Sequence, residues 1–272
     1  MTVTRIEDGR DLRLGDYAGV REPRPLRERG LMIVEGRFVV ARLLAATHVT
    51  VRSLLLNEAA LLALTGTLEA CGRDLDVYVA GPDVIMAATG FDIHRGCLAL
   101  AERPPAPAMS SLLASRSFIT VLERVVDPDN VGSVFRCAEA FGVEAVLLSP
   151  GCGDPYYRKA IRTSSGAALM VPWATAEPWP EALEILKAHG FLIAATTPDA
   201  SAMDIGAFVA TPGARGRVAV LMGTEGQGLT VEALSRADVR VRIPMSGALD
   251  SLNIATATGI ALHRLHEVRR SP

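Results

Sequence analysis

The stretch VAVLMGTEGQGL, at residues 218–229, combines an apolar run with a glycine-rich loop. The five consecutive apolar residues 218–222 predict a strand that is covered on both faces, as strands of a parallel sheet are. Gly223, Gly226 and Gly228 follow, and glycines at this density indicate unusual backbone dihedrals and a close approach of the backbone to a neighbouring group. The stretch therefore predicts a buried strand that ends in a binding loop, with an ordinary strand-to-helix turn as the alternative.

The polar residues of this loop argue against a nicotinamide-dependent oxidoreductase. The spacing G-T-E-G-Q-G does not match the G-x-G-x-x-G fingerprint of dinucleotide-binding loops, and the carboxylate of Glu225 would repel a pyrophosphate. A glutamate at this position suits a ligand that carries a hydroxyl group, an amine or a positive charge.

Further apolar runs repeat the strand pattern outside this stretch. In the second part of the chain the predicted strands are 118–122, 145–148, 192–195, 218–222 and 239–243. Helices are predicted between them, and this alternation indicates an α/β fold with a parallel sheet. Such sheets bind ligands at the carboxyl ends of their strands. The first part of the chain alternates in the same way, which predicts a smaller α/β domain there.

A proline-rich segment separates the two parts. Three prolines in RPPAPAM, residues 103–109, exclude a helix interior and favour an extended connector. We therefore predict a first domain at 1–103, a linker at 104–112 and a second domain at 113–272.

The composition predicts a cytoplasmic protein without a membrane span. Hydrophobic residues make up 49% of the 272 residues, but no apolar run is long enough to cross a bilayer or to serve as a secretion signal. The four cysteines form no C-x-x-C pair, which is typical of a reducing compartment. The net charge of −2 means that a nucleic acid would need a local basic patch. His263 and His266 lack a third ligand at metal spacing, so we predict no metal site.

A second candidate loop is DNVGSVFR, residues 129–136. Asp129 or Asn130 is a suitable N-cap for a helix that continues through Arg136. Arg136 interrupts an otherwise apolar stretch, which favours a functional role. The alternative is an ion pair with Glu139 or with the glutamate of the glycine-rich loop.

The third loop, IPMSGALDSLN at residues 243–253, leads into the last predicted helix. Asp250 or Ser251 can cap that helix, which leaves the other side chain free to face a ligand. Small residues follow over two turns and permit close packing against another helix or subunit. Together the three loops predict a binding site at the carboxyl ends of strands, assembled from remote parts of the chain.

The N-x-G-x-x-x-R at residues 130–136, the G-T-E-G-x-G-L at 223–229 and the IPM…SLN at 243–253 resemble the three signature motifs of the SpoU family, in the same order and at similar spacing. SpoU proteins are S-adenosylmethionine-dependent RNA 2′-O-ribose methyltransferases of the SPOUT superfamily. The resemblance covers about residues 118–268. Finding all three motifs together makes it specific.

The resemblance implies a sheet with a deep trefoil knot in its carboxyl-terminal part, a homodimer, and S-adenosylmethionine as the cofactor. The residues that it implies around the reacting ribose are Arg136, Asn130, Glu225, Ser251 and Asn253. Those that it implies for the cofactor pocket are Thr196, Met222, Gly223, Gly228, Ile243, Met245 and Leu252. Because a guanidinium stays protonated, we expect Arg136 to anchor the target phosphate and stabilise a developing 2′-oxyanion rather than to act as a base.

The first part of the chain looks, more loosely, like the substrate-binding domain that often precedes the SpoU catalytic domain, through GLMIVEGRFVVARLL at 30–44 and FDIHRGCLALAE at 91–102. We therefore expect a ribosomal RNA substrate, with the large subunit favoured and tRNA as an alternative. A non-catalytic RNA-binding or ribosome-assembly protein would keep the same fold. Arginine forks match phosphate oxygens, and the candidate RNA contacts are Arg21, Arg24, Arg37, Arg158, Lys159 and Arg162. For the arginines near the start of the chain, the alternative is a solvated surface of mixed charge.

Overall fold

The computed structural model describes residues 1–20, 23–93, 96–247 and 250–270. It divides the chain into two compact units, Met1–Pro105 with Pro155–Leu169 and Ala106–Asp154 with Met170–Pro272. The division between Pro105 and Ala106 falls inside the predicted linker 104–112. The predicted second domain differs from the structure in one segment, because residues 155–169 belong to the first unit.

The first unit contains a mixed sheet. Its strands are β1 (Thr2–Ile6), β2 (Leu31–Glu35), β3 (Val51–Leu56), β4 (Asp76–Ala80) and β5 (Cys97–Glu102). The helices that alternate with them are α1 (Pro23–Glu28), α2 (Arg37–Ala45), α3 (Glu58–Cys71) and α4 (Pro82–Thr89). The strand order is β1-β4-β3-β5-β2, with β4 parallel to β1 and β3, and β5 antiparallel to β3 and β2. The α/β pattern predicted for the first part is thus confirmed.

A 3-10 helix at Leu12–Val20 in this unit was not predicted. It buries Leu14, Tyr17 and Val20, which are spaced three residues apart, and the hydroxyl group of Tyr17 forms a 2.9 Å hydrogen bond with Oγ of Ser53. The period of three matches a 3-10 helix rather than a strand or an α-helix. Two glycines and Asp16 lie between the buried positions, and glycine is unfavourable inside a helix, so local propensity does not indicate a helix here.

The second unit contains a parallel sheet. Its strands are β6 (Phe118–Glu123), β7 (Ala145–Leu148), β8 (Trp173–Thr175), β9 (Leu192–Thr196), β10 (Met203–Asp204), β11 (Val218–Gly223) and β12 (Val239–Arg242). The remaining helices of the chain are α5 (Met109–Leu113), α6 (Pro128–Ala140), α7 (Arg158–Thr163), α8 (Ala167–Met170), α9 (Ala182–Ala188), α10 (Ile205–Val209), α11 (Val231–Ser235) and α12 (Ile254–Arg270), with a 3-10 helix at Pro212–Arg215. The strand order is β10-β12-β9-β11-β6-β7-β8, and neighbouring strands are parallel. This confirms the predicted parallel sheet, whereas the trefoil knot stays a prediction.

The core of the second unit lies on both faces of this sheet. The five residues 218–222 of β11 are all buried, as the apolar run predicts. Burying an aliphatic side chain of this size contributes about 1.5–3 kcal/mol to stability. Leu112 and Leu113 of α5 belong to the same core, which is why residues 109–112 of the predicted linker are helical rather than extended.

Residues 155–169 contain α7, which packs on β2 of the first unit. Glu35, at the end of β2, is buried, and its carboxylate pairs with Arg158 and, at 3.6 Å, with Arg162. A buried carboxylate needs such partners because its removal from water is otherwise costly. The partners lie more than a hundred residues apart in the chain, so sequence order alone placed α7 in the wrong unit.

The longest helix, α12, packs on α6 and α10. It buries Thr258, Ala261, Leu262 and Leu265 along one face and carries charged residues elsewhere. Among the helices of the described residues, α12 included, none has the length and apolar character that crossing a membrane requires.

The carboxyl ends of β6, β9, β11 and β12 lie at one edge of the parallel sheet. The helix after β6 begins at Pro128, and its N-cap is Asp127, whose Oδ1 accepts a 2.7 Å hydrogen bond from the backbone nitrogen of Asp129. The predicted N-caps Asp129 and Asn130 are therefore wrong, because the proline already occupies the first helical position, where its missing N–H costs nothing.

Candidate functional site

A cavity of about 310 Å³ lies at the carboxyl ends of β9, β11 and β12. Pockets for small molecules and cofactors begin at about this volume. Leu229, Val241 and Ile254 contribute to apolar walls, and every residue of the loop 223–229 lines the cavity. All seven residues that the sequence indicated for a cofactor lie around it: Thr196, Met222, Gly223, Gly228, Ile243, Met245 and Leu252.

The glycine-rich loop closes tightly on itself. A Cβ atom on Gly223 would lie 2.4 Å from the carbonyl carbon of Gly228 and 2.4 Å from the backbone nitrogen of Leu229, closer than real Cβ atoms come. Gly226 and Gly228 have φ angles of 79° and 68°, in the left-handed region that favours glycine. The backbone nitrogen of Gly228 donates to the carbonyl oxygen of Thr224 at 3.0 Å. The close approach predicted from the glycines is thus made by the loop's own backbone.

The threonine at the end of β9 connects two strands beneath the cavity. Oγ1 of Thr196 donates to the carbonyl oxygen of Leu221 at 3.0 Å and lies 3.3 Å from Sδ of Met222. Met222 is 2% exposed, so its thioether is held against this hydroxyl group. The contact keeps the floor of the cavity in one arrangement.

A polar network next to the cavity joins all three predicted loops. Nδ2 of Asn253 donates to Oε1 of Glu225, and it lies 3.3 Å from Oδ1 of Asn130. Ser251 and Glu225 also line the cavity. Three of the five residues indicated for the reacting ribose therefore meet in this network, and Ser251 lines the adjoining cavity, although they come from three remote segments.

The cap of the last helix is Asn253 rather than Asp250 or Ser251. Its Oδ1 accepts hydrogen bonds from the backbone nitrogens of Ala255 at 2.8 Å and Thr256 at 3.4 Å. The helix begins at Ile254, later than predicted, so Asp250 and Ser251 precede its first turn and are exposed. One side chain thus caps the helix with its oxygen and joins the polar network with its nitrogen.

Arg136, the fifth residue, projects from α6 into solvent. Of its two alternative partners, Glu225 accepts a hydrogen bond from Nδ2 of Asn253. Burial raises the pKa of the neighbouring Cys137 thiol, and the positive charge of Arg136 partly offsets that rise. Because Arg136 is exposed, an external anion can reach its side chain.

The basic residues indicated for RNA belong to the first unit, and they differ in exposure and in their ion pairs. The Arg158 side chain is 20% exposed and pairs with buried Glu35, whereas the Arg162 side chain is 54% exposed. Arg24 is exposed and pairs with Glu28, four residues later in the chain. This pairing is what the alternative, a solvated surface of mixed charge, predicts. Arg37 opens α2 and is half-buried, as is Lys159. Arg21 lies outside the described residues.

Sequence reasoning missed several residues of the cavity. Thr197 and Pro198 line it directly after the predicted strand 192–195, so the rule of strand carboxyl ends would have included them. Leu234, on α11, also lines the cavity. No local signal marks Leu234, because only the packing of α11 brings it there.

Known proteins that resemble this chain are RNA methyltransferases, and the similarity extends over most of its length. A family model described as the SpoU rRNA Methylase family matches residues 117–263. An uncharacterized tRNA/rRNA methyltransferase of Mycobacterium bovis is 42% identical over 259 residues, which cover 95% of this chain and 87% of that protein. The 23S rRNA (guanosine(2553)-2′-O)-methyltransferase RlmP of Bacillus subtilis is 24% identical over 261 residues, covering 96% and 98%.

Among solved structures, the SpoU methyltransferase AviRb from Streptomyces viridochromogenes is similar over both units. The TM-score is 0.78 at 25% sequence identity, and the match covers 96% of this chain and 98% of that one. The similarity therefore extends to the first unit, where the sequence resemblance is looser.

Proposed function

Because the chain belongs to the SpoU rRNA methylase family, we propose that it transfers the methyl group of S-adenosylmethionine to a ribose 2′-hydroxyl group of ribosomal RNA, with large-subunit rRNA as the favoured substrate. The observation that carries the proposal is the cavity lined by all seven predicted cofactor residues, with the network of Asn130, Glu225 and Asn253 beside it. The relative named as a 23S rRNA 2′-O-methyltransferase supports the position of the methyl group.

The cavity suits this cofactor in the chemistry of its lining. Apolar side chains such as Ile243 and Leu252 match the purine ring, while the loop 223–229 brings backbone groups that can hydrogen-bond its polar atoms. Gly223 has no side chain at the point where one would collide with the loop backbone, which keeps the turn compact. When bound, S-adenosylmethionine would supply a sulfonium methyl group, to which a ribose 2′-oxygen can bond in line while S-adenosylhomocysteine departs.

The residues beside the cavity position the ribose and stabilise the negative charge that develops on its 2′-oxygen. The carboxylate of Glu225 accepts a hydrogen bond from the 2′-hydroxyl group, and Nδ2 of Asn253 holds that carboxylate in place. Arg136 keeps its positive charge at any physiological pH, so it binds the adjacent phosphate and stabilises negative charge that develops on the 2′-oxygen. Positioning supplies a further share of the rate enhancement.

The proposal includes an RNA-binding surface and a second copy of the chain. We place the RNA on the first unit through Arg37 and Arg162, with a second copy of the chain forming a homodimer and the reaction taking place in the cytoplasm. A transfer RNA is the alternative substrate, because the Mycobacterium bovis relative carries both RNA classes in its name. A non-catalytic assembly protein would bind the same RNA without transferring methyl groups.

The experiment is transfer of tritiated methyl groups from S-adenosylmethionine to separated large-subunit rRNA, small-subunit rRNA and tRNA. We expect label in large-subunit rRNA at a position that resists alkaline cleavage, because a 2′-O-methyl group blocks attack on the adjacent phosphate. Arg136→Ala should abolish the label while leaving cofactor binding intact. Label in tRNA alone would favour the alternative substrate, and cofactor binding with no label in any RNA would favour the non-catalytic protein.

A further inference from the structure

A buried carboxylate outside the predicted site lies behind the glycine-rich loop. Glu123, the last residue of β6, is 1% exposed and stands in register with Gly223 of β11. Its Oε1 accepts hydrogen bonds from Nε1 of Trp179 at 2.8 Å and from Oγ1 of Thr230 at 2.7 Å. Its Oε2 accepts from the backbone nitrogen of Thr230 at 2.8 Å. All three contacts are to donors, and a carboxylate has the acceptors to satisfy them.

Glu123 is tied to both ends of one loop, through its side chain at Thr230 and through backbone strand pairing at Gly223. Gly223, where the loop begins, is the strand partner of Glu123. Thr230, where the loop ends, is the N-cap of α11, and its Oγ1 also accepts from the backbone nitrogen of Ala233 at 3.2 Å. Glu123 itself is not among the residues that line the cavity, whereas residues 223–229 all are. Any influence of Glu123 on a bound molecule must therefore pass through the loop.

We propose that Glu123 is a positioning residue for the cofactor: its carboxylate holds the Thr230 end of the loop, while strand pairing fixes the Gly223 end, so that residues 224–229 keep the turn that lines the cavity. The inference rests on the proposed function, since it takes S-adenosylmethionine as the molecule in the cavity. It assigns to the family reaction a residue that contacts neither the cofactor nor the RNA. The expected signature is an effect on cofactor affinity that exceeds the effect on turnover.

A carboxylate is specifically required at this position. Glutamine has the same shape, but its amide NH2 group would face either Thr230 N–H or the two donors that meet Oε1. One donor in the first orientation, or two in the second, would then lose its acceptor, at a cost of about 1–3 kcal/mol for each. Glu123→Gln therefore disturbs the loop without leaving a void.

The test measures the dissociation constant of S-adenosylmethionine by calorimetry for the full-length wild type, Glu123→Gln and Glu144→Gln. Glu144 is a matched control, because its carboxylate accepts from the backbone nitrogens of Ser117 and Phe118 at the opposite end of the same strand. We expect Glu123→Gln to weaken binding about tenfold to a hundredfold. In steady-state assays, kcat at saturating cofactor and KM for RNA should stay within about threefold. Glu144→Gln should bind as the wild type does.

A second pair of variants keeps the test decisive if Glu123→Gln does not fold. Thr230→Val removes the hydroxyl group that donates to Glu123 and should weaken cofactor binding. Thr230→Ser keeps that hydroxyl group and should bind the cofactor with wild-type affinity. In the double variant Glu123→Gln/Thr230→Val, the two losses of cofactor-binding free energy should not add, because both substitutions break the contact between Glu123 and Thr230. Unchanged affinity in Glu123→Gln, or in Thr230→Val if Glu123→Gln does not fold, would overturn the inference alone. A wild type that fails to bind S-adenosylmethionine would overturn the proposed function and the inference with it.

Discussion

Asn253 donates a hydrogen bond from Nδ2 to the carboxylate of Glu225, and so joins the loop before the last helix to the loop after β11. The Oδ1 atom of the same amide accepts from the backbone nitrogen of Ala255 at 2.8 Å and caps the helix. The two ends of one side chain therefore have different tasks. Substitutions that keep one end and change the other can separate them.

Asn253→Asp keeps the capping oxygen and replaces the donor that faces Glu225 with a second carboxylate oxygen. We expect kcat/KM for methyl transfer to fall about a hundredfold, because the network loses its donor and gains a like charge. The free energy of unfolding in urea should change by less than about 1 kcal/mol, since the cap remains. Full activity in this variant would refute a role for the network in the reaction.

Asn253→Ala is the matched variant, because it removes both ends of the side chain. We expect a comparable loss of kcat/KM together with a loss of about 1 kcal/mol of unfolding free energy, the usual cost of an absent N-cap. Equal stability of the Ala and Asp variants would show that Asn253 contributes nothing as a cap.

Gly223→Ala tests the compactness of the glycine-rich loop. The added methyl group would collide with backbone atoms of Gly228 and Leu229 at 2.4 Å, and backbone atoms cannot rotate away as a side chain can. We expect an overpacking cost of about 1–3 kcal/mol in urea denaturation and weaker cofactor binding by calorimetry. Gly216→Ala is the control, because its Cβ atom would meet its nearest neighbour at an ordinary 3.6 Å. Normal cofactor affinity in Gly223→Ala would contradict the loop's part in the cavity.

Arg158 and Arg162 should differ although they lie on one short helix. Among the described residues, the ion pairs of buried Glu35 are those with Arg158 and Arg162, so Arg158→Ala leaves it the 3.6 Å contact to Arg162. We therefore expect a loss of about 3 kcal/mol of unfolding free energy. Arg162→Ala should cost little stability, because that side chain is 54% exposed. It should instead weaken RNA binding and reduce the slope of log affinity against log salt by about one.

The comparison needs both measurements on both variants, with urea denaturation for stability and filter binding at several salt concentrations for affinity. Replacing Arg158, Lys159 and Arg162 together by alanine should weaken RNA binding and leave cofactor affinity unchanged. Unaltered RNA affinity of Arg162→Ala at moderate salt would remove α7 from the RNA-binding surface.

Two glycines of α3 should respond in opposite directions to the same substitution. Gly66 is an exposed position inside the helix, and a methyl group added there would meet nothing within 4 Å, so Gly66→Ala should stabilise the protein by about 0.5–1 kcal/mol. Gly72 caps the helix with φ of 60°, so Gly72→Ala should destabilise it by about 1 kcal/mol. Urea denaturation measures both. A destabilised Gly66→Ala variant would mean that this helix face is covered in solution.

Local patterns in the sequence were sufficient for most of the secondary structure. The apolar run 218–222 is part of β11, and the strand predicted at 145–148 has the bounds of β7, because side-chain periodicity acts within a few residues. The N-cap of α6 was misplaced although Pro128 marks the start of that helix in the sequence. The candidate cofactor residues came from the resemblance of three motifs to the SpoU family, and they all line one cavity.

Contacts between remote segments could not be obtained in this way. The pairing of Glu35 with Arg158, which places α7 in the first unit, joins residues more than a hundred positions apart. The hydrogen bonds from Thr230 to Glu123 span a similar separation. A buried carboxylate accepts hydrogen bonds from donors that the fold brings close to it, and its neighbours in the sequence do not indicate which donors these are. The chemistry of each loop is therefore readable from its own residues, whereas the supports behind the loops depend on packing across the folded chain.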